Sequence, residues 1–173
     1  NITLIVFQND WTAMTGHQPV LGVTESGKIS IEQICKALGV KNVWVADSYK
    51  PDLLIKTLEK AMKIKGLKVI IVKRECALQA NRYRQREIKK ARDAGQIVQE
   101  KIFQIYSCQL CYQCVRDLCC PAIRKTEVDG FPHMKIDEDR CIKCGVCIQV
   151  CPNGAIAEII VNPLEKEVKF REI

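Results

Sequence analysis

Nine of the eleven cysteines fall between residues 108 and 151. They form two runs, Cys108-x2-Cys111-x2-Cys114-x5-Cys120-Pro121 and Cys141-x2-Cys144-x2-Cys147-x3-Cys151-Pro152. Three thiolates at two-residue spacing can wrap one corner of an iron–sulfur cubane, while a cysteine before proline turns away toward a second cluster. The pattern predicts two [4Fe–4S] clusters and one-electron chemistry. Cluster one takes Cys108, Cys111, Cys114 and Cys151; cluster two takes Cys141, Cys144, Cys147 and Cys120. Cys119 competes with Cys120, and Cys120 is preferred because it directly precedes proline, as Cys151 does. Structural zinc more often uses two cysteine pairs with a longer gap. A secreted disulfide scaffold would spread its cysteines over a short chain, so a reducing, cytoplasmic setting is expected.

These loops need a small frame. The two runs lie in related halves, with Pro121-Ala122-Ile123 after one and Pro152 and then Ala155-Ile156 after the other. Gly145 sits where the backbone must bend closely around inorganic sulfide. Short strands and Pro/Gly turns are expected, and residues 101–173 resemble a two-cluster ferredoxin domain of α+β type.

Upstream, β-rich runs alternate with helical patterns. A buried strand is predicted at Leu4–Gln8, and further strands at Asn42–Ala46 and Lys68–Val72. One helix opens at Ser30 with Gln33 three residues on, a capping-box pattern, and stops at Gly39. A second runs from Pro51 to Lys65 with Leu54, Leu58, Ala61 and Met62 on one face and Gly66 as its stop. Strands alternating with helices predict a parallel-sheet α/β fold. Cys35 is expected in the core, Cys76 either in the core or near a cofactor, and His133 in a structural role. A basic helix from Leu78 to Asp93 follows. The expected division is residues 1–78, a helical linker at 79–100, and the ferredoxin-like domain at 101–173.

The string Asn9-Asp10-Trp11-Thr12-Ala13-Met14-Thr15-Gly16-His17-Gln18-Pro19 follows the first strand. A loop leaving the carboxyl edge of a parallel strand is where α/β folds hold ligands. It resembles the end of the thiamine diphosphate motif in 2-oxoacid:ferredoxin oxidoreductases, and Thr12 to Pro19 resembles the indolepyruvate ferredoxin oxidoreductases in particular. Arg74-Glu75-Cys76-Ala77-Leu78 and the two cysteine runs fit the same family, so the first domain is identified as the C-terminal part of a thiamine diphosphate-binding domain. The resemblance implies that the Asn9 side-chain oxygen and the Trp11 carbonyl bind Mg²⁺, and that Thr15, Gly16 and His17 approach thiamine diphosphate or substrate. Gln8 stands where the family usually has Asp, and Trp11 where a smaller residue is usual. The family's Gly-Asp-Gly element, which supplies a Mg²⁺ aspartate, is expected upstream of Asn9, so the chain reads as one cut within a domain.

The resemblance further implies oxidative decarboxylation of an arylpyruvate (a 2-oxoacid) to an acyl-coenzyme A, with electrons leaving through the clusters to an external ferredoxin. The remainder of the thiamine enzyme and a second subunit are the implied partners. The alternative is a non-catalytic iron–sulfur subunit of a larger redox complex.

Charge narrows the partners. Residues 1–107 carry 18 Lys and Arg against 10 Asp and Glu, whereas residues 108–173 carry 9 against 10. Arg82, Arg84, Arg86, Lys89, Lys90 and Arg92 concentrate the excess on the basic helix. That helix reads as a solvated face or subunit contact, or as an attraction for acidic ferredoxin or coenzyme A. Nothing else in the chain supports nucleic-acid binding. The apolar runs are strand-sized, so no membrane span is expected.

Overall fold

The computed structural model describes residues 1–20, 29–96 and 99–161. Part of the loop expected up to Lys28, a short piece of the expected linker and the end of the ferredoxin-like region lie outside the described residues. The chain divides into two compact units, Asn1–Ala80 and Asn81–Ile173.

The first unit is built on a parallel sheet of β1 (Ile2–Gln8), β4 (Asn42–Ala46) and β5 (Leu67–Lys73), in the order β1-β5-β4. The central place of β5 follows from its composition. Val69, Ile70, Ile71 and Val72 are buried, as a strand covered on both faces requires. Lys68 is buried as well, and its Nζ donates to the Ile64 carbonyl at 2.8 Å. Helix α1 (Ile31–Ala37) starts with the expected capping box: Ser30 Oγ accepts from Gln33 N–H at 3.1 Å, and Gln33 Oε1 accepts from Ser30 N–H at 2.8 Å. Helix α2 (Pro51–Met62) lays Leu54, Leu58 and Ala61 against Ile70 and Val72, with Trp44 beside them. Three expectations need correction. The first strand, expected to be buried, lies at the sheet edge with Leu4, Ile5 and Phe7 exposed. Met62 ends α2 exposed, because Ala61 takes the inward place on the last turn. Cys35 is half-buried, since α1 buries none of its residues.

The loop after β1 is more ordered than a simple connection. It holds a hairpin of β2 (Trp11–Thr12) and β3 (Gln18–Pro19) around a short 3-10 turn at Ala13–Thr15. Helix α3 (Ala77–Asp93) begins in the first unit and continues into the second.

The second unit contains two antiparallel pairs. Strand β6 (Glu100–Ile105) pairs with β9 (Ile156–Val161), and β7 (Ile123–Val128) pairs with β8 (Phe131–Ile136). Between the strands lie short helices α4 (Gln113–Arg116) and α5 (Val146–Val150). The pairing crosses the halves: each strand leading into a cysteine run pairs with the strand leaving the other run. Ile105 faces Ile156, and Ile136 faces Ile123. Tyr106 N–H donates to the Ala155 carbonyl at 2.9 Å, and its counterpart Asp137 N–H donates to the Ala122 carbonyl at 2.7 Å. Phe103 and Met134, each two residues before the corresponding isoleucine, are both buried. With Ala122, Ile123, Ile136, Cys147 and Ile156 they form one core against which Cys108, Cys114, Cys120, Cys141 and Cys151 pack. The expected order, a parallel-sheet α/β region followed by a small α+β ferredoxin-like one, is the order observed.

Candidate functional site

The two cysteine loops share one backbone form. Leu110 and Lys143 each stand two residues after the first cysteine of their run, at φ 55° and 61°. Tyr112 and Gly145 each follow the second cysteine, at φ 60° and 73°. These left-handed turns bring backbone N–H groups to sulfur: Leu110 N–H donates to Cys108 Sγ at 3.4 Å, and the Lys143 N–H stabilises the Cys141 thiolate. Glycine meets this need without strain, and a Cβ on Gly145 would lie 3.6 Å from the Phe103 ring. Tyr112 adopts the same conformation as a non-glycine residue, at a cost of about 1–2 kcal/mol.

Crossed strand pairing decides which thiols meet. Because β9 lies along β6, Cys151 is carried toward the run that begins at Cys108; because β7 lies along β8, Cys120 is carried toward the run that begins at Cys141. The electrostatic environments agree with this. Burial pushes the Cys114 thiol up, and the other cysteines acting on it are Cys108, Cys111 and Cys151. Burial pushes Cys147 up to about 12, and the cysteines acting on it are Cys144, Cys120 and Cys141. Burial also raises Cys141, opposed by the Lys143 N–H and then by the Lys143 charge. Four mutually repelling, partly desolvated thiols are poor company as bare thiolates and suitable company for a multi-iron cation core.

The donor sets fit that role in other ways. A cavity is lined by Cys108, Cys111, Cys114 and Cys151 together with Ile105, Pro152 and Ile156. Ala155 N–H donates to Cys151 Sγ at 3.3 Å. Such hydrogen bonds to sulfur stabilise the negative charge of thiolate-ligated iron. Among the described residues, no three His, Cys, Asp or Glu side chains converge closely enough to hold a single metal ion. Cys119 stands apart: it is exposed at φ 52°, and its Sγ donates to the Arg116 carbonyl at 3.3 Å.

In the first unit, three loops leave the carboxyl edge of the sheet and are tied together. Arg74 N–H donates to the Gln8 carbonyl and Cys76 N–H to the Asn9 carbonyl, both at 3.0 Å. Arg74 also pairs with Asp47 at 3.0 Å and lies 4.2 Å over the Tyr49 ring. Asn9 Oδ1 accepts from Trp11 N–H at 3.0 Å, which fixes a tight turn and leaves the oxygen a second lone pair. Gly16 and His17 take left-handed conformations at φ 105° and 58°, and His17 N–H closes the loop on the Thr12 carbonyl at 3.1 Å. Thr15 Oγ1 donates to that same carbonyl at 3.3 Å. Asn9, Trp11, Thr15, Gly16 and His17 thus belong to one compact loop at the edge where a ligand is expected.

Several participants carried no sequence signal. Lys143 reads as an ordinary loop lysine, yet its side chain is buried against Glu100 at 3.2 Å. Asp47 and Tyr49 likewise carried none, because Arg74 reaches them from a separate loop.

Residues 1–72 match the family model of the thiamine pyrophosphate enzyme C-terminal TPP binding domain, and residues 134–157 match that of the 4Fe-4S binding domain. The chain is 35% identical over 162 residues to the indolepyruvate oxidoreductase subunit IorA of Archaeoglobus fulgidus, covering 90% of this chain and 24% of that one. It is 36% identical over 159 residues to the subunit of that name from Methanothermobacter thermautotrophicus, covering 88% and 23%. For that of Pyrococcus abyssi the identity is 36% over 166 residues, covering 92% and 24%. The chain spans about a quarter of the length of these curated relatives. No solved structure matches. The resemblance to the indolepyruvate ferredoxin oxidoreductase alpha subunit, expected from the Thr12 to Pro19 string and the cysteine runs, extends over about nine-tenths of the chain. Among the described residues no helix is long and apolar enough to cross a membrane.

Proposed function

We propose that this chain is part of a thiamine diphosphate-dependent 2-oxoacid:ferredoxin oxidoreductase acting on arylpyruvates, with two [4Fe–4S] clusters that carry electrons to an external ferredoxin. One observation carries the reading: a loop of thiamine-enzyme type at a sheet edge and two complete, crossed four-cysteine groups occur in the same chain. The 4Fe-4S family match covers only the second cysteine run. The first run joins it through the shared backbone turns and the equivalent strand pairings.

When bound, thiamine diphosphate supplies the electron sink for loss of CO2 from a 2-oxoacid, and the clusters supply one-electron acceptors. Asn9 Oδ1 and the Trp11 carbonyl would hold Mg²⁺, a hard ion that prefers such oxygen ligands. Thr15, Gly16 and His17 would border the cofactor or the substrate. Cys108, Cys111, Cys114 and Cys151 would hold one cluster, and Cys141, Cys144, Cys147 and Cys120 the other. Coenzyme A would take the acyl product. The rest of the thiamine enzyme and a second subunit would complete the active site.

The test is an assay of the complete complex, isolated without oxygen together with its partner subunit. Reduction of ferredoxin should require an arylpyruvate, coenzyme A and thiamine diphosphate together. Cluster reduction by another donor, with no response to any 2-oxoacid, would instead make the chain an electron-transfer subunit only.

A further inference from the structure

We propose that Lys143, paired with Glu100, is a tuning cation for the second cluster, and that it raises that cluster's reduction potential. The inference rests on the two-cluster reading above and adds a residue that the cysteine pattern does not contain.

Lysine is almost never buried unless paired. Here the Lys143 side chain is 9% exposed, although it sits inside a cysteine loop at the unit's surface. Its Nζ lies 3.2 Å from Glu100 Oε1, and Arg84 Nε approaches the same oxygen at 3.3 Å. Glu100 itself is 15% exposed, so one carboxylate stands between two cations in a largely desolvated place. Neither Arg84 Nε nor Glu100 Oε1 reaches hydrogen-bond geometry. Charge, more than directional bonding, holds the group together.

A purely structural role is a poor explanation. The first half shows that an apolar residue suffices for the same turn, because Leu110 occupies the matching position at φ 55°. Burying an ion group where a leucine would do costs desolvation, and such groups are weak contributors to stability. What Lys143 brings and Leu110 lacks is a positive charge that acts on the Cys141 sulfur. The second group is also the deeper one: Cys147 is buried, whereas its counterpart Cys114 is half-buried. Reduction adds one electron to a cluster without a bond breaking, so the reduced state carries more negative charge. Burial disfavours that state, and the Lys143 charge, acting directly on the Cys141 thiol, offsets the penalty.

The test is a potentiometric titration of the anaerobically isolated full-length protein with its partner, followed by electron paramagnetic resonance. The second-cluster signal is the one lost in Cys120→Ser. Lys143→Gln should shift that signal to lower potential by about a tenfold change in the reduced-to-oxidised ratio, or about 59 mV for one electron. Glu100→Gln should shift it the opposite way, Lys143→Arg should leave it in place, and the first cluster should not move. Opposite signs from the two neutralising changes are something a mere packing role does not produce. Shifts of the same sign, or none, overturn the proposal. If Lys143→Gln does not retain iron, Arg84→Gln decides, since it leaves the Glu100–Lys143 contact in place; it should give a smaller downward shift, and an unmoved signal overturns the proposal. A wild-type protein without two clusters would refute the two-cluster reading itself, an outcome distinct from clusters present with unmoved potentials.

Discussion

Cys120 and Cys147 come from opposite halves of the iron–sulfur unit, yet Cys120 is close enough to help push the Cys147 thiol up. Cys119, one residue earlier, points its sulfur at the Arg116 carbonyl instead. Replacing Cys119 with serine should therefore leave iron and acid-labile sulfide at the wild-type level, about eight of each per chain for two cubanes. Replacing Cys120 should remove the second cluster and roughly halve both, as anaerobic iron and sulfide analysis would read. Full loading of the Cys120 variant, or zinc in place of iron, would contradict the ligand sets.

A second expectation concerns pH in protein stripped of iron. Cys147 is raised from the usual 9.0 to about 12, and Cys114 and Cys141 are raised in the same direction, chiefly by burial. The folded apo form then holds its thiol protons more tightly than the unfolded chain does. Below pH 9 both states are protonated and the apo fold keeps its full stability. Between about pH 9 and 12 the unfolded chain ionises first, and stability falls. With iron bound the thiolates are already deprotonated, so the loaded protein should lack this window. Denaturant titrations of stripped and loaded protein across that range make the comparison.

Met134 is 1% exposed and shares the core with Phe103 and Ile123 beneath both cysteine groups. Met134→Ala should cost about 2–5 kcal/mol of stability in the second unit, as for other buried large-to-small changes. Accelerated cluster loss on mild heating, followed by the fading of visible absorbance, is the accompanying readout. A cost below 1 kcal/mol would mean the halves do not share one packed core.

At the sheet edge, Asn9→Ala removes both the turn-forming oxygen and the expected metal ligand, while Asn9→Asp keeps an oxygen in place. The alanine variant should lower 2-oxoacid-dependent activity of the complete complex by at least about tenfold, since even outer-shell changes at metal sites cost 10–100-fold. The aspartate variant should retain most of it. Iron content should be unchanged in both, because Asn9 and the cysteine runs belong to separate units. Loss of iron in the alanine variant would mean the damage is general misfolding.

The cysteine spacing was legible because ligand geometry is local: thiols two residues apart report the loop directly. The capping box at Ser30 and the strand at Asn42–Ala46 were legible for the same reason, since each rests on neighbouring residues. Strands β2 and β3 were not, as two residues are too few for any alternation to emerge. Met62 fits the periodic stripe but loses its inward place to Ala61 at the helix end. The Glu100–Lys143 contact joins distant positions, and only the crossed pairing of the strands brings them together. Tyr112 gave no local sign of a left-handed conformation, whereas its counterpart Gly145 did.

The pairing of Glu100 with Val161 has a further consequence. Strand β6 begins beside the point where β9 ends, so the two strands flanking the cysteine runs close on a narrow seam. The unit's order along the chain is then a convention more than a necessity. A circular permutant joined across that seam and opened at the Asp129–Gly130 turn should still assemble both cubanes, which would make this unit a portable electrical fitting.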